Sequence, residues 1–480
     1  MNVVPQETYR YQTVEKHILQ MIDAKALNPG DRVPSLRQLS TRMGMSISTI
    51  SQAYVELERK GVLESRPRSG FFVRTDFRQL LPPTEKKAPK HLEAISGNRS
   101  SLIQTVLQTV GAEDLIPLGV AVPDGSVLPG RALGRMMGQV MRDSGDHILG
   151  YEPMAGNIDL RRQIAFRSMD WGAAVSPDNV VVTCGALEAL YIALRMFTRP
   201  GDNVLVHSPS YYCFLRLLEN LGLRAIEVPS CPEGGVAVED VERALKLFDI
   251  KASIFCFNYA NPDGSLTPEE VKQEIVELLT NNSIPLVEDD VYGDLHFGPK
   301  RPYSCLKYDT KGLVISCSSF SKTLAPGYRV GWIIPGKFFS KAEEIKGTTN
   351  VSTPRPTQAA IAEYLRVGGF DRHLKRLRAA MESNMQALQV SVSRYFPEKT
   401  RVTRPTGGAV LWMELPGNVD SKEYFFRARD MGISVAPGVI FSTQDRYNSY
   451  IRLSCTGVWT PEIEHGVQML GRLAEEMGDS

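Results

Sequence analysis

No long uninterrupted apolar run occurs in this sequence. Its most apolar stretch, residues 180–197, is broken by Glu188 and Arg195, short of the roughly 18 apolar residues a membrane span needs. Cysteine is sparse, with seven in 480 residues and no C-x-x-C pair. That usage argues against a disulfide framework and against a zinc site. The first residues, Met1-Asn2-Val3-Val4-Pro5-Gln6-Glu7, lack the basic and then apolar regions of a secretory leader. Internal repeats and low-complexity tracts are missing too, and the net charge is only +1. These absences point away from membrane, secreted-scaffold and metal-dependent classes and predict a chain of the reducing cytosol.

Enough apolar material is present, at 42% of residues, for two or three packed domains. The near-neutral total hides an asymmetry: residues 1–80 carry a net +4 and the remainder a net −3. A modest basic excess at one end fits contact with phosphate. In that region Val14, Ile18, Met21 and Ile22 recur at helical spacing, and Asn28-Pro29-Gly30 ends the pattern. Ser35 can cap a second helix with Leu36, Leu39 and Met43 inward, closed by Gly44. Ser46 can cap a third, with Ile50, Ala53, Tyr54 and Leu57 inward. Two short helices joined by Gly44-Met45 form a helix-turn-helix pattern, and the start of the second would lie nearest base edges. Ser48, Thr49, Ser51 and Gln52 are short or polar there. Val62-Leu63-Glu64-Ser65 and Phe71-Phe72-Val73 then flank Arg66-Pro67-Arg68-Ser69-Gly70, a hairpin with a basic tip. A small helical docking bundle is the bland alternative.

The string from Leu27 through Pro29-Gly30-Asp31-Arg32-Val33-Pro34-Ser35 to Leu57 resembles the winged-helix domain of GntR-family regulators, over residues 8–74. The resemblance implies DNA contacts by Arg37, Ser48, Thr49 and the wing residues Arg68, Ser69 and Gly70. Ser46 and Gln52 join them by their place at the helix start. Ile47 departs from the arginine usual in that family, and Arg68 from a common glycine, so relatives do not supply the target sequence.

Residues 76–100, with Pro82-Pro83 and Pro89-Lys90, have the composition of a semi-rigid linker between a 1–75 head and a 101–480 body. Beyond it, short apolar runs at 180–183, 204–207, 253–257, 285–288, 313–317 and 331–334 alternate with helical patterns. That alternation predicts an α/β domain with a largely parallel sheet, whose ligands bind at the carboxyl ends of strands. Five clusters fall there. Ser318-Ser319-Phe320-Ser321-Lys322 ends a strand, and Arg329 follows seven residues after the lysine. A lone amine that can form a Schiff base, among donors for a phosphate dianion, suits pyridoxal phosphate. Gly185-Ala186-Leu187 opens a helix whose N–H groups can hold phosphate. Tyr211 could stack on a flat ring, Asn261 could donate to a phenolate, and Glu288-Asp289-Asp290 needs a cationic partner if buried. Each cluster has a structural reading as well: a core tyrosine, an ordinary turn, a solvated acidic face.

Together and in this order, the clusters over residues 110–475 resemble the class I/II aminotransferases of pyridoxal-phosphate fold type I. The resemblance implies a largely parallel sheet with a smaller C-terminal subdomain. Lys322 would carry the cofactor as a Schiff base, and Asp289, rather than Asp290, would pair with the pyridine nitrogen. Asn261 and Tyr292 would bind the ring hydroxyl, while Tyr211 would stack. Ser319, Ser321, Arg329 and the Gly185, Ala186 and Leu187 backbone would hold the phosphate. Tyr151 would reach the partner subunit's phosphate, and Arg452 would bind a substrate or effector carboxylate. Head followed by body resembles the MocR subgroup of GntR regulators. That implies a cytosolic homodimer on operator DNA, sensing pyridoxal phosphate or its Schiff base with an amino compound. The alternative is an active aminotransferase carrying a DNA-binding head.

Overall fold

A computed structural model of the chain describes residues 10–24, 26–59, 62–66, 69–74, 94–95, 100–112, 114–417, 419–444, 446–454 and 456–478. Most of the segment read as linker, and Arg68 at the wing tip, lie outside the described residues.

The head consists of helices Arg10–Asp23, Leu36–Met43 and Ile47–Arg59 and a hairpin of Leu63–Arg66 with Gly70–Val73. Its helix ends are set by local chemistry. Ser35 and Gln38 form a reciprocal capping box, and Gly44 closes the same helix at φ +63°, where a side chain would be strained. Val14, Ile18, Leu39, Ile50, Tyr54, Leu57 and Val73 close the core. The Tyr54 hydroxyl donates to Pro34 O at 2.7 Å. This one bond ties the third helix to the chain entering the second.

The body is built on a nine-stranded mixed sheet. Its centre is parallel: Arg224–Cys231, Asn203–Ser208, Ile250–Phe255, Leu286–Asp289 and Val314–Ser319 lie side by side in that order. Gly331–Ile334 and Val181–Thr183 continue it antiparallel. The central strands are buried on both faces, which is why they read as short continuous apolar runs. At the far edge Ala94–Ile95 pairs with Arg224–Cys231. The end of the segment read as linker is therefore part of this sheet, a two-residue strand too short to leave a periodic signal. Arg224–Cys231 itself has no counterpart among the sequence-predicted strands. A smaller C-terminal sheet joins Arg401–Val402, Leu411–Glu414, Tyr450–Leu453 and Ala436–Pro437. Among the described residues no helix is long and apolar enough to cross a membrane.

Buried charge fastens the helix Gly369–Tyr395 to the carboxyl edge of the large sheet. Arg301 is clamped between Asp290 and Asp294, and Arg167 reaches Asp294 at 3.9 Å and Asp371 at 2.7 Å. Arg378, on the long helix, donates to Asp294 O at 2.7 Å. Removing one member of such a buried set leaves its partners charged and dry. Arg301→Met is therefore expected to destabilise the body by about 3–5 kcal/mol, measured by urea unfolding of the full chain.

Candidate functional site

The carboxyl ends of the parallel strands, with the turn of residues 319–322, open into a cavity of about 140 Å³. Ten of the twelve sequence-predicted cofactor residues line it: Ala186, Leu187, Tyr211, Asn261, Asp289, Tyr292, Ser319, Ser321, Lys322 and Arg329. Lys322 lies three residues beyond the strand Val314–Ser319, on the turn that leaves the strand end, and it lines the cavity. Its amine donates to Ala121 O at 2.7 Å. Burial, and then the charge of Arg452, pull its pKa down to about 8.

Asp289 is the last residue of its strand and is buried. Its Oδ1 has no hydrogen-bond partner among the described residues. Burial, followed by repulsion from Asp290, pushes its carboxyl up to about 7. Its neighbours are satisfied. Glu288 accepts from Cys305 N at 2.9 Å and from the Ser304 hydroxyl. Asp290 is held by Arg301 and by Asn258 Nδ2 at 2.9 Å. Of three consecutive acids, the one facing the cavity is the one with an oxygen left without a hydrogen-bond partner among the described residues.

The opposite wall is a loop of close approaches. Gly185 precedes the helix Ala186–Phe197 at φ +78°, and a Cβ there would lie 2.5 Å from Arg329 Nη2. Only glycine lets the guanidinium lie against this helix start. Arg329 Nη1 donates to Ser321 Oγ at 3.3 Å, and Ser321 N donates to Ser319 Oγ at 3.3 Å. Hydroxyls, guanidinium and helix N-terminus thus converge on one anion-sized position. Gly185 is not itself in the cavity wall; it shapes the turn behind it.

Asn261 links two further residues. Its Nδ2 lies 3.5 Å from the Tyr292 hydroxyl, and its Oδ1 accepts from Arg452 Nη1 at 3.0 Å. Arg452, in the C-terminal sheet, is buried and also donates to Gly119 O. The Tyr211 ring packs on Tyr212 at 4.8 Å and Phe214 at 5.4 Å, and burial holds its phenol well above the ordinary range. Tyr151 stands apart: it is 84% exposed and outside the cavity. Sequence reasoning missed Leu190, Phe214, Cys256 and Val291 in the wall, and Gly119 and Ala121 behind it. The last two sit in Leu118-Gly119-Val120-Ala121-Val122, an apolar run before Pro123-Asp124-Gly125, which was the available signal.

On the head, Arg37, Ser46, Ser48, Gln52, Ser69 and Gly70 are exposed and Thr49 is half-buried. Ser46 Oγ lies 2.8 Å from both Ser48 Oγ and Thr49 Oγ1 and accepts from Thr49 N at 3.1 Å. It caps the third helix. Gly70 takes φ +99° beside the Arg32 guanidinium.

Comparison with known proteins agrees with both halves. Residues 10–73 match the model for bacterial regulatory proteins of the gntR family, and residues 113–470 match the aminotransferase class I and II family. The HTH-type transcriptional regulator YdcR of Escherichia coli is 35% identical over 97% of this chain and 99% of its own. YjiR of the same organism, also named as an HTH-type transcriptional regulator, is 34% identical over 96% and 98%. Among solved structures, LysN, an alpha-aminoadipate aminotransferase of Thermus thermophilus complexed with N-(5'-phosphopyridoxyl)-L-leucine, superposes with a TM-score of 0.72. It has 27% identity over 79% of this chain and 99% of that one. From head to body, then, the chain belongs to the gntR family of bacterial regulators, in the form that joins a helix-turn-helix domain to an aminotransferase class I and II domain.

Proposed function

We propose that the protein is a DNA-binding transcriptional regulator of the MocR type that senses pyridoxal phosphate, alone or with an amino compound. The observation that carries this reading is the unpartnered, buried Oδ1 of Asp289, in one cavity with the Lys322 amine. A dry carboxylate without a cation is costly, and a protonated pyridine nitrogen is the cation that this geometry suits. Two further features support the fit. Gly185 leaves room for the Arg329 guanidinium, whose Nη2 a Cβ would approach to 2.5 Å, and the solved structure of LysN holds a phosphopyridoxyl ligand.

Pyridoxal phosphate, when bound, supplies an aldehyde for reversible covalent capture and an electron-withdrawing ring. The chain's own residues do the rest. Lys322 offers an amine that deprotonates readily, because its depressed pKa of about 8 leaves roughly a tenth of it unprotonated at pH 7. Asp289 holds a proton at the ring nitrogen by charge pairing. Asn261 and Tyr292 orient the ring hydroxyl, and Tyr211 covers one face. Ser319, Ser321, Arg329 and the backbone of Ala186 and Leu187 take the phosphate. Arg452 selects ligands bearing a carboxylate, for which its planar fork suits bidentate pairing.

The regulator acts as a homodimer on paired half-sites. Leu149 and Tyr151 are 82% and 84% exposed, and Arg355 ties the backbone at Tyr151 to the body. Two large exposed side chains so close in sequence fit burial by a second copy, where Tyr151 would complete the partner's phosphate site. Ligand binding must favour one arrangement of the two heads over another to alter DNA affinity.

A second reading, an aminotransferase with a regulatory head, is favoured by one observation. Lys322, Asp289, Tyr292 and Arg452 form a complete set, and a neutral lysine there can also move a proton. Steady turnover of an amino donor and a keto acid would support it.

The first test is affinity for the DNA upstream of the chain's own coding sequence, at one fixed salt concentration, with and without pyridoxal phosphate. A cofactor-dependent shift that Lys322→Ala abolishes is expected; equal affinity in all cases would overturn sensing of the cofactor alone. The second test is the pH dependence of covalent attachment, trapped with borohydride. Attack needs the unprotonated amine, so the rate should rise with pH, with a midpoint near about 8, and level off above. A flat profile would contradict the environment assigned to Lys322.

A further inference from the structure

Base readout by the head narrows once its surface hydroxyls are accounted for. Ser46, Ser48 and Thr49 lie at the start of the helix Ile47–Arg59, but their hydroxyls are bonded to one another within 2.8 Å. They close the helix end rather than point outward as free donors. Between them stands an apolar residue with no such commitment. Ile47 is the first residue of the helix and is 48% exposed, whereas Ile50, one turn on, is fully buried in the core.

Ile47 lines a cleft between the helix start and the wing strand Gly70–Val73, together with Pro34 and Phe71. Arg32 and Arg37, both exposed, stand in the same wall. Guanidinium groups beside an apolar floor suit a nucleic-acid strand: phosphates fix the position, and whatever touches the base edge sets the sequence. An aliphatic side chain cannot pair with the amino, carbonyl and ring-nitrogen groups of the major groove. Pressed against them, it would strip their water without replacement. One group in that groove matches it, the 5-methyl of thymine.

We propose that Ile47 reads the 5-methyl group of a thymine in each half-site and thereby sets the base preference of the recognition helix at that position. The proposal rests on the DNA-binding reading given above, and the experiment separates the two. Duplexes are selected from a random-sequence pool by the full-length protein, and each thymine is then replaced in turn by deoxyuridine, which lacks only the methyl group. One thymine, at matching positions in the two half-sites, is expected to lose about fourfold in affinity when its methyl is removed, the order expected for burying one such group. Ile47→Ala should bind the thymine and deoxyuridine duplexes equally. Its unchanged circular dichroism and melting would show an intact fold, since the side chain is half exposed. Ile47→Arg should select guanine at that position, through its O6 and N7 acceptors.

A wild-type protein indifferent to every methyl, an Ile47→Ala variant that keeps the thymine preference, or an Ile47→Arg consensus that is unchanged would each overturn the proposal. A wild-type protein that enriches no sequence from the pool would overturn the DNA-binding reading, and this one with it.

Discussion

Three consecutive carboxylates, Glu288, Asp289 and Asp290, are buried at the end of one strand, and the organisation of the body follows from how their charge is met. Glu288 is absorbed by the turn at Ser304-Cys305. Asp290 recruits Arg301, which in turn recruits Asp294, Arg167 and the long helix Gly369–Tyr395. Asp289 alone faces the cavity, and burial pushes its carboxyl up to about 7. Two acids hold the architecture together, and the acid between them faces the cavity with an oxygen unpartnered among the described residues. A strand that alternated apolar and acidic residues could not do this, because residues two apart face the same side and all its acids would share one face.

The parallel sheet explains why the other groups arrive at the same place. Each strand ends on one edge, so turns distant in sequence share a single rim. Lys322 follows one strand and Asp289 ends its neighbour. Arg329 precedes the antiparallel strand Gly331–Ile334, which brings it back against Gly185 at the end of Val181–Thr183. Gly331 is needed for the same crossing, since a Cβ there would lie 2.6 Å from Gly185 C. The anion cradle is therefore a product of strand order, with its hydroxyls supplied by the turn between two strands.

Much of this was legible in the sequence, for physical reasons. Doubly buried strands read as short apolar runs, and helix ends declare themselves through caps such as Ser35 and Gly44. Chemically costly residues, among them Lys322 and Asp289, stand out because ordinary packing does not call for them at strand ends. What was not legible depended on tertiary partners. Ala94–Ile95 is too short for periodicity and exists as a strand only because Arg224–Cys231 offers an edge. Cys256, Phe214 and Val291 are unremarkable core residues whose place in the cavity wall is decided by tertiary packing. Gly119 and Ala121 act through backbone carbonyls, which leave no trace in side-chain chemistry. Likewise, the mutual bonding of Ser46, Ser48 and Thr49 turns three hydroxyls that look like readers into a cap.

The carbonyls of Gly119 and Ala121 have a consequence of their own. They lie two residues apart on one stretch of chain; Gly119 O accepts from Arg452, which also holds Asn261, and Ala121 O accepts from Lys322. An incoming anion or aldehyde that draws either cation away strips a buried acceptor of its donor, and such an acceptor is expensive to leave bare. Ligand capture of the kind proposed would therefore be an exchange reaction. Its equilibrium would be set as much by what re-solvates two backbone oxygens as by the strength of the new bonds to lysine and arginine.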